Sequence, residues 1–127
     1  MSYYFNKTVN VSFEEAIERV TEELQKEGFG ILTEIDVKET LKKKLNVDFR
    51  PYKILGACNP QFAHQALQAE DKIGTMLPCS VIVQDTGSGV EVAAIDPIAS
   101  MAAVQNPNLA GVADEVQSRL KKVVESL

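Results

Sequence analysis

The sequence predicts a two-layer α+β domain, and three observations predict it. Five short runs of apolar, β-branched or aromatic residues recur, at 3–11, 29–35, 52–57, 79–84 and 90–95. Two long stretches, 13–27 and 109–127, place apolar residues at helical spacing. The chain has 127 residues, 45% of them hydrophobic, which is enough for one domain with a real core. Residues 1–127 are therefore read as a single domain, and a five-strand, two-helix inventory has to be layered.

The elements follow in order. Residues 3–11 form the first strand. Ser12-Phe13-Glu14-Glu15 is a capping box, with a hydroxyl at the N-cap and a carboxylate three residues on. Phe13, Ala16, Ile17, Val20 and Leu24 then make one helical stripe, with Glu14, Glu18, Glu22 and Glu23 largely opposite, and Gly28 is the stop signal. A second strand spans 29–35. Asp36 repeats the cap, and Val37, Leu41 and Leu45 give a short helix. The polar stretch 46–51 is a connection to a third strand at 52–57. Asn59-Pro60 is a cap followed by proline in the first turn, and it starts a helix over 60–70. Residues 72–78 read as a loop. Thr86-Gly87-Ser88-Gly89 joins the last two strands as a hairpin. Asp96-Pro97 starts a short helix to about Val104, and Asn106-Pro107-Asn108 breaks it. The stripe from Leu109 to Leu127 is the final helix.

Composition narrows the function. A formal net charge of -5 argues against nonspecific binding to phosphate backbones, so no nucleic-acid partner is expected. Two cysteines are too few for a disulfide scaffold. No signal peptide and no membrane-length apolar window are visible, so a cytoplasmic protein with reduced thiols is the expectation, with no membrane partner.

Gly56-Ala57-Cys58-Asn59-Pro60 followed by Ala63, His64, Ala66 and Leu67 resembles the uncharacterised domain-of-unknown-function 302 family. Ile73-Gly74 through Leu77-Pro78-Cys79 and the strand leading into Asp96-Pro97 are similar to it as well, so the likeness covers nearly the whole chain. It implies an about five-stranded, largely antiparallel sheet with helices packed on one face, a TATA-binding-protein-like topology, and homodimers. That topology carries no implication of DNA binding. The family has no established activity, so the resemblance transfers no catalytic residue and no cofactor.

The candidate ligand-binding residues are Cys58, Asn59, His64 and Cys79. Cys58 ends a strand one residue before a helix cap, where free amides and the helix dipole favour a thiolate; the plain alternative is a small buried hydrophobe. Cys79 starts the next strand. If the two strands are adjacent and antiparallel, both thiols lie at one sheet end and permit a redox pair or a soft-metal site. If they are parallel, the thiols lie at opposite ends. The helix between them spans roughly 16 Å, which suits a parallel crossover, while the loop after it is long enough to return the chain. His64 lies roughly 7–9 Å along the helix from Cys58, too far for a direct dyad. Asn59 is explained as the cap. The helix N-terminus is a candidate anion site, but no Gly-rich phosphate loop precedes it.

Lys42, Lys43, Lys44, Arg50 and Lys53 form a small basic cluster that reads as helix-end compensation. Ile73, Met76, Leu77, Ile98 and Met101 are apolar groups of weakly structured segments, suited to a pocket, a subunit contact or plain packing. Three functions follow: a binding module with a small-molecule or anion pocket near Cys58 to His64, roofed by residues 73–78; a thiol-dependent redox protein or enzyme using Cys58 with Cys79; or a structural dimerisation domain. The binding module is the expectation, because no nucleophile–base–orienter set can be assembled.

Overall fold

The computed structural model describes residues 2–127. In chain order the elements are β1 (Tyr4–Val9), α1 (Phe13–Lys26), β2 (Gly30–Asp36), α2 (Val37–Leu45), β3 (Tyr52–Cys58), α3 (Pro60–Ala69), a 3₁₀ segment (Asp71–Met76), β4 (Cys79–Asp85), β5 (Val90–Ile95), α4 (Pro97–Ser100), a second 3₁₀ turn (Pro107–Leu109) and α5 (Ala110–Glu125). The five strands form one sheet in the order β1-β5-β4-β3-β2, and every neighbouring pair is antiparallel.

Local chemistry sets most boundaries. The Ser12 hydroxyl accepts the Glu15 N–H at 3.1 Å and opens α1. Glu27 closes that helix, and Gly28 follows with φ +86°, a conformation that glycine adopts without a Cβ clash. Asp36 caps α2 through the Glu39 N–H at 2.9 Å. Asp96 caps α4 through the Ile98 N–H at 2.9 Å.

Alternation then decides the packing. Leu55, Ala57, Val81, Val83, Val92 and Ala94 point to one face and are buried there. Ala16, Val20 and Leu24 of α1, with Val116, Leu120 and Val123 of α5, complete this core. The other face stays partly open: Ile54 and Ile82 are half-buried, and Tyr4 and Ile35 are exposed.

Two segments differ from the sequence reading. Residues 72–78 are not an open loop, because Asp71–Met76 winds into 3₁₀ turns that bury Ile73 against Ala66 and Leu109. The helix after Pro97 stops at Ser100 instead of reaching Val104; the Met101 N–H bonds back to Pro97 O and the Val104 N–H to Met101 O, which closes the segment as turns.

The β3-to-β4 connection carries the main consequence. The helix between them does not cross the sheet. Ala66 of α3 packs off its end, against the 3₁₀ segment and Leu109, and the chain returns antiparallel beside β3 with Ala57 opposite Cys79.

Candidate functional site

The end of β3 and the start of β4 form the floor of a cavity. Ala57, Cys58 and Cys79 come from the sheet, Phe62, Ala63 and Ala66 from α3, and Val112, Ala113 and Val116 from α5. Leu77, Pro78, Pro97 and Met101 close it. Its volume is about 30 Å³, room for one or two water-sized groups. The lining is apolar apart from the two thiols and Asn59.

Antiparallel pairing settles where the cysteines lie: both are at the same end of the sheet and both line this cavity. Cys58 is half-buried and Cys79 buried. Burial pushes the Cys79 thiol up to about 11, with the neighbouring Cys58 adding to the effect. A low dielectric opposes the thiolate, so Cys79 is a protonated thiol at neutral pH.

Asn59 is buried and is bonded at both its oxygen and its nitrogen. Its Oδ1 accepts the Phe62 N–H at 3.5 Å, and its Nδ2 donates to the Glu27 carbonyl at 3.3 Å. The Arg119 Nη1 donates to that same carbonyl at 3.0 Å, and its guanidinium carbon sits 5.0 Å from the Phe62 ring centre. Asn59 therefore builds the rim. No basic side chain lines the cavity, so its chemistry does not favour an anion.

His64 is exposed and does not line the cavity. The structure thus brings Cys58, Asn59 and Cys79 together and leaves His64 outside. The apolar group of the sequence reading divides too. Leu77 and Met101 line the cavity, Ile73 and Met76 pack beside it, and Ile98 is exposed. The basic cluster disperses into pairs. Lys42 meets Asp48, Lys43 meets Glu39 and Lys53 meets Glu34, while Arg50 donates to Gln84.

Sequence reasoning missed Arg119 and the α5 wall. The Arg119 carbonyl partner lies 92 residues away in the chain, and no local pattern encodes such a pairing. Among the described residues, no three or more His, Cys, Asp or Glu side chains gather where they could hold a metal ion. No helix among them is long and apolar enough to cross a membrane.

The fold and site define a class: an antiparallel sheet with α1 and α5 on one face and a small, sulfur-lined cavity at one end. The chain belongs to the family described as domain of unknown function DUF302, whose pattern matches residues 5–127. It is similar to the crystal structure of an uncharacterized conserved DUF302 protein from Bacillus stearothermophilus, at 30% identity and a TM-score of 0.91 over 98% of each chain. No curated protein matches it.

Proposed function

We propose that the chain is a binding module whose ligand is a small uncharged or soft group taken into the cavity between β3, β4, α3 and α5. The observation that carries this reading is the lining itself: apolar walls, two thiols from adjacent strands, and no assembled acid–base set. A thiol-dependent enzyme needs a base near its nucleophile; Cys79 is held protonated and the sole histidine faces solvent. The anion alternative loses support because no basic side chain lines the cavity.

Amide and methyl NMR of the full chain under xenon, a single soft apolar atom, tests it. Shifts confined to Ala57, Cys58, Ala66 and Ala113, lost in Ala63→Leu, are expected. Absence of shifts at saturating xenon pressure, or shifts that persist in the filled variant, overturns it.

A second reading rests on a different observation. The sheet face opposite α1 and α5 carries Tyr4 and Ile35 exposed, and its carboxylate Glu91 is already held by Asn6 and Gln84. A second copy of this chain could cover that face without bringing unpaired carboxylates together. Light scattering at working concentration is expected to give a dimer that Ile82→Glu converts to monomer; a wild-type monomer removes this reading.

A further inference from the structure

The cavity lies on a seam between two hydrophobic clusters. Its inner wall, with Ala57, Cys79 and Val116, belongs to the main core. Its outer wall, with Ala66, Leu77 and Met101, belongs to a smaller cluster around Ile73 and Leu109. Two segments bring most of that smaller cluster: residues 60–76, which hold α3 and the 3₁₀ segment, and residues 97–109, which hold α4 and the turns before α5. Each buries little of itself. Ala66 and Ile73 are the buried residues of the first, and Pro97 and Leu109 those of the second. Neither segment takes part in the sheet.

Side-chain hydrogen bonds fasten these segments in two ways. Their starts are tied to the helices that cover the core. Asn59 donates to the Glu27 carbonyl at the end of α1, and Gln117 of α5 donates to the Asp96 carboxylate at 3.0 and 3.2 Å. Their far parts are tied to each other. Asn106 Nδ2 donates to the Ala69 carbonyl at 2.7 Å and to Glu70 Oε1 at 3.3 Å. The Ala69 carbonyl is among the last four of α3, which a helix leaves without internal partners. The Asn106 oxygen does a separate task, accepting the Asn108 N–H at 3.0 Å to cap its own turn.

We propose that residues 60–76 and 97–109 form a two-leaved lid over the cavity, latched shut by the Asn106 amide. The proposal deepens the binding-module reading and rests on it, because the lid sets the size of ligand admitted. Closed, the cavity has about 30 Å³, far short of the roughly 150 Å³ of an apolar cavity that takes benzene. Opening along the seam parts the outer wall from the inner one and breaks the latch, while the sheet and the main core stay packed. That costs less than unfolding the whole chain. Both walls are apolar, so the ligand that opening admits is an uncharged apolar ring. Its apparent affinity scales with the open population.

The test is residue-by-residue hydrogen exchange of the full chain by NMR, with a benzene titration beside it. The Glu70, Ile73 and Val104 amides are each bonded within the two segments. They are expected to share one protection factor, about tenfold or more below that of Val81 and Val83 in the central strand, with a weaker urea dependence. Asn106→Asp keeps the capping oxygen and removes the donor. It should speed exchange at all three amides alike, by about fivefold or more, and tighten benzene binding by the same factor. Asn106→Ser, which puts no second carboxylate beside Glu70, should act in the same direction and decides if the aspartate variant does not fold. Protection at Glu70 and Ile73 equal to that at Val81, or a rise confined to Val104, overturns the lid. Faster exchange with unchanged benzene affinity, or xenon bound with no benzene bound in either protein, overturns its control of ligand size. Joint opening with neither xenon nor benzene bound overturns the binding-module reading itself, and the proposal falls with it.

Discussion

Asn59 and Arg119 donate to one acceptor, the carbonyl of Glu27, at 3.3 and 3.0 Å. Glu27 closes α1, Asn59 caps α3, and Arg119 belongs to α5. One orphan carbonyl at a helix end thus ties three helices together at the rim of the cavity. Gly28 leaves room for it, since a Cβ there would fall 2.9 Å from the Asn59 amide nitrogen.

Arg119→Ala should therefore destabilise the fold by roughly 1–2 kcal/mol, through the lost hydrogen bond and the lost stacking on Phe62. Arg119→Lys should recover only part, because an ammonium lacks the planar fork. Urea unfolding measures both, and equal stability of the alanine variant and wild type would remove the clasp.

Gly56→Ala should destabilise by roughly 1–3 kcal/mol. A Cβ there would overlap Thr33 Oγ1 and sit 2.7 Å from Pro78 Cγ. Thr33 is the register partner of Gly56, beside the β2 bulge. Combining Gly56→Ala with Thr33→Ala should recover part of the loss. A double-mutant cycle reads the coupling, and purely additive losses would show the crowding to be unimportant.

The two thiols should react unequally. Cys58 is half-buried and Cys79 buried, so iodoacetamide at neutral pH should label Cys58 first, with Cys79 following only on opening of the fold. Peptide mass spectrometry over time distinguishes them. Equal rates would mean that the cavity is freely open.

Cys79 should also impose a pH dependence on stability. Its thiol is pushed from an ordinary 9.0 to about 11 in the folded protein, by burial first and by the neighbouring Cys58 second. Between these values the unfolded chain loses a proton that the folded chain keeps, so stability falls as pH rises. The contribution is intact below about pH 9 and gone above about pH 11, and it amounts to about 2–3 kcal/mol. Comparing wild type with Cys79→Ala across that window isolates it. A stability difference that stays constant with pH would refute the shift.

Much of the fold was legible because it is written in local chemistry. Ser12, Asp36, Asn59 and Asp96 announce helix starts by side-chain capping, and each does so in the structure. The stripes of 13–27 and 109–127 mark the two helices that cover the core. The 3₁₀ segment was less legible, since Asp71–Met76 has no side-chain cap and is held by the burial of Ile73 against distant residues.

The candidate site was legible only in part. Cys58, Asn59 and Cys79 stood out by position, whereas the separation of His64 from them depended on which side of α3 met the cavity. Residue order determined the strands, the helices, their caps and the presence of two thiols, because these depend on neighbours a few positions apart. Whether those thiols share one end of the sheet depended on the direction in which β4 returned beside β3. Only tertiary packing chose that direction: burying Ala66 and Ile73 with Leu109 holds α3 off the end of the sheet, and a helix placed there hands the chain back antiparallel.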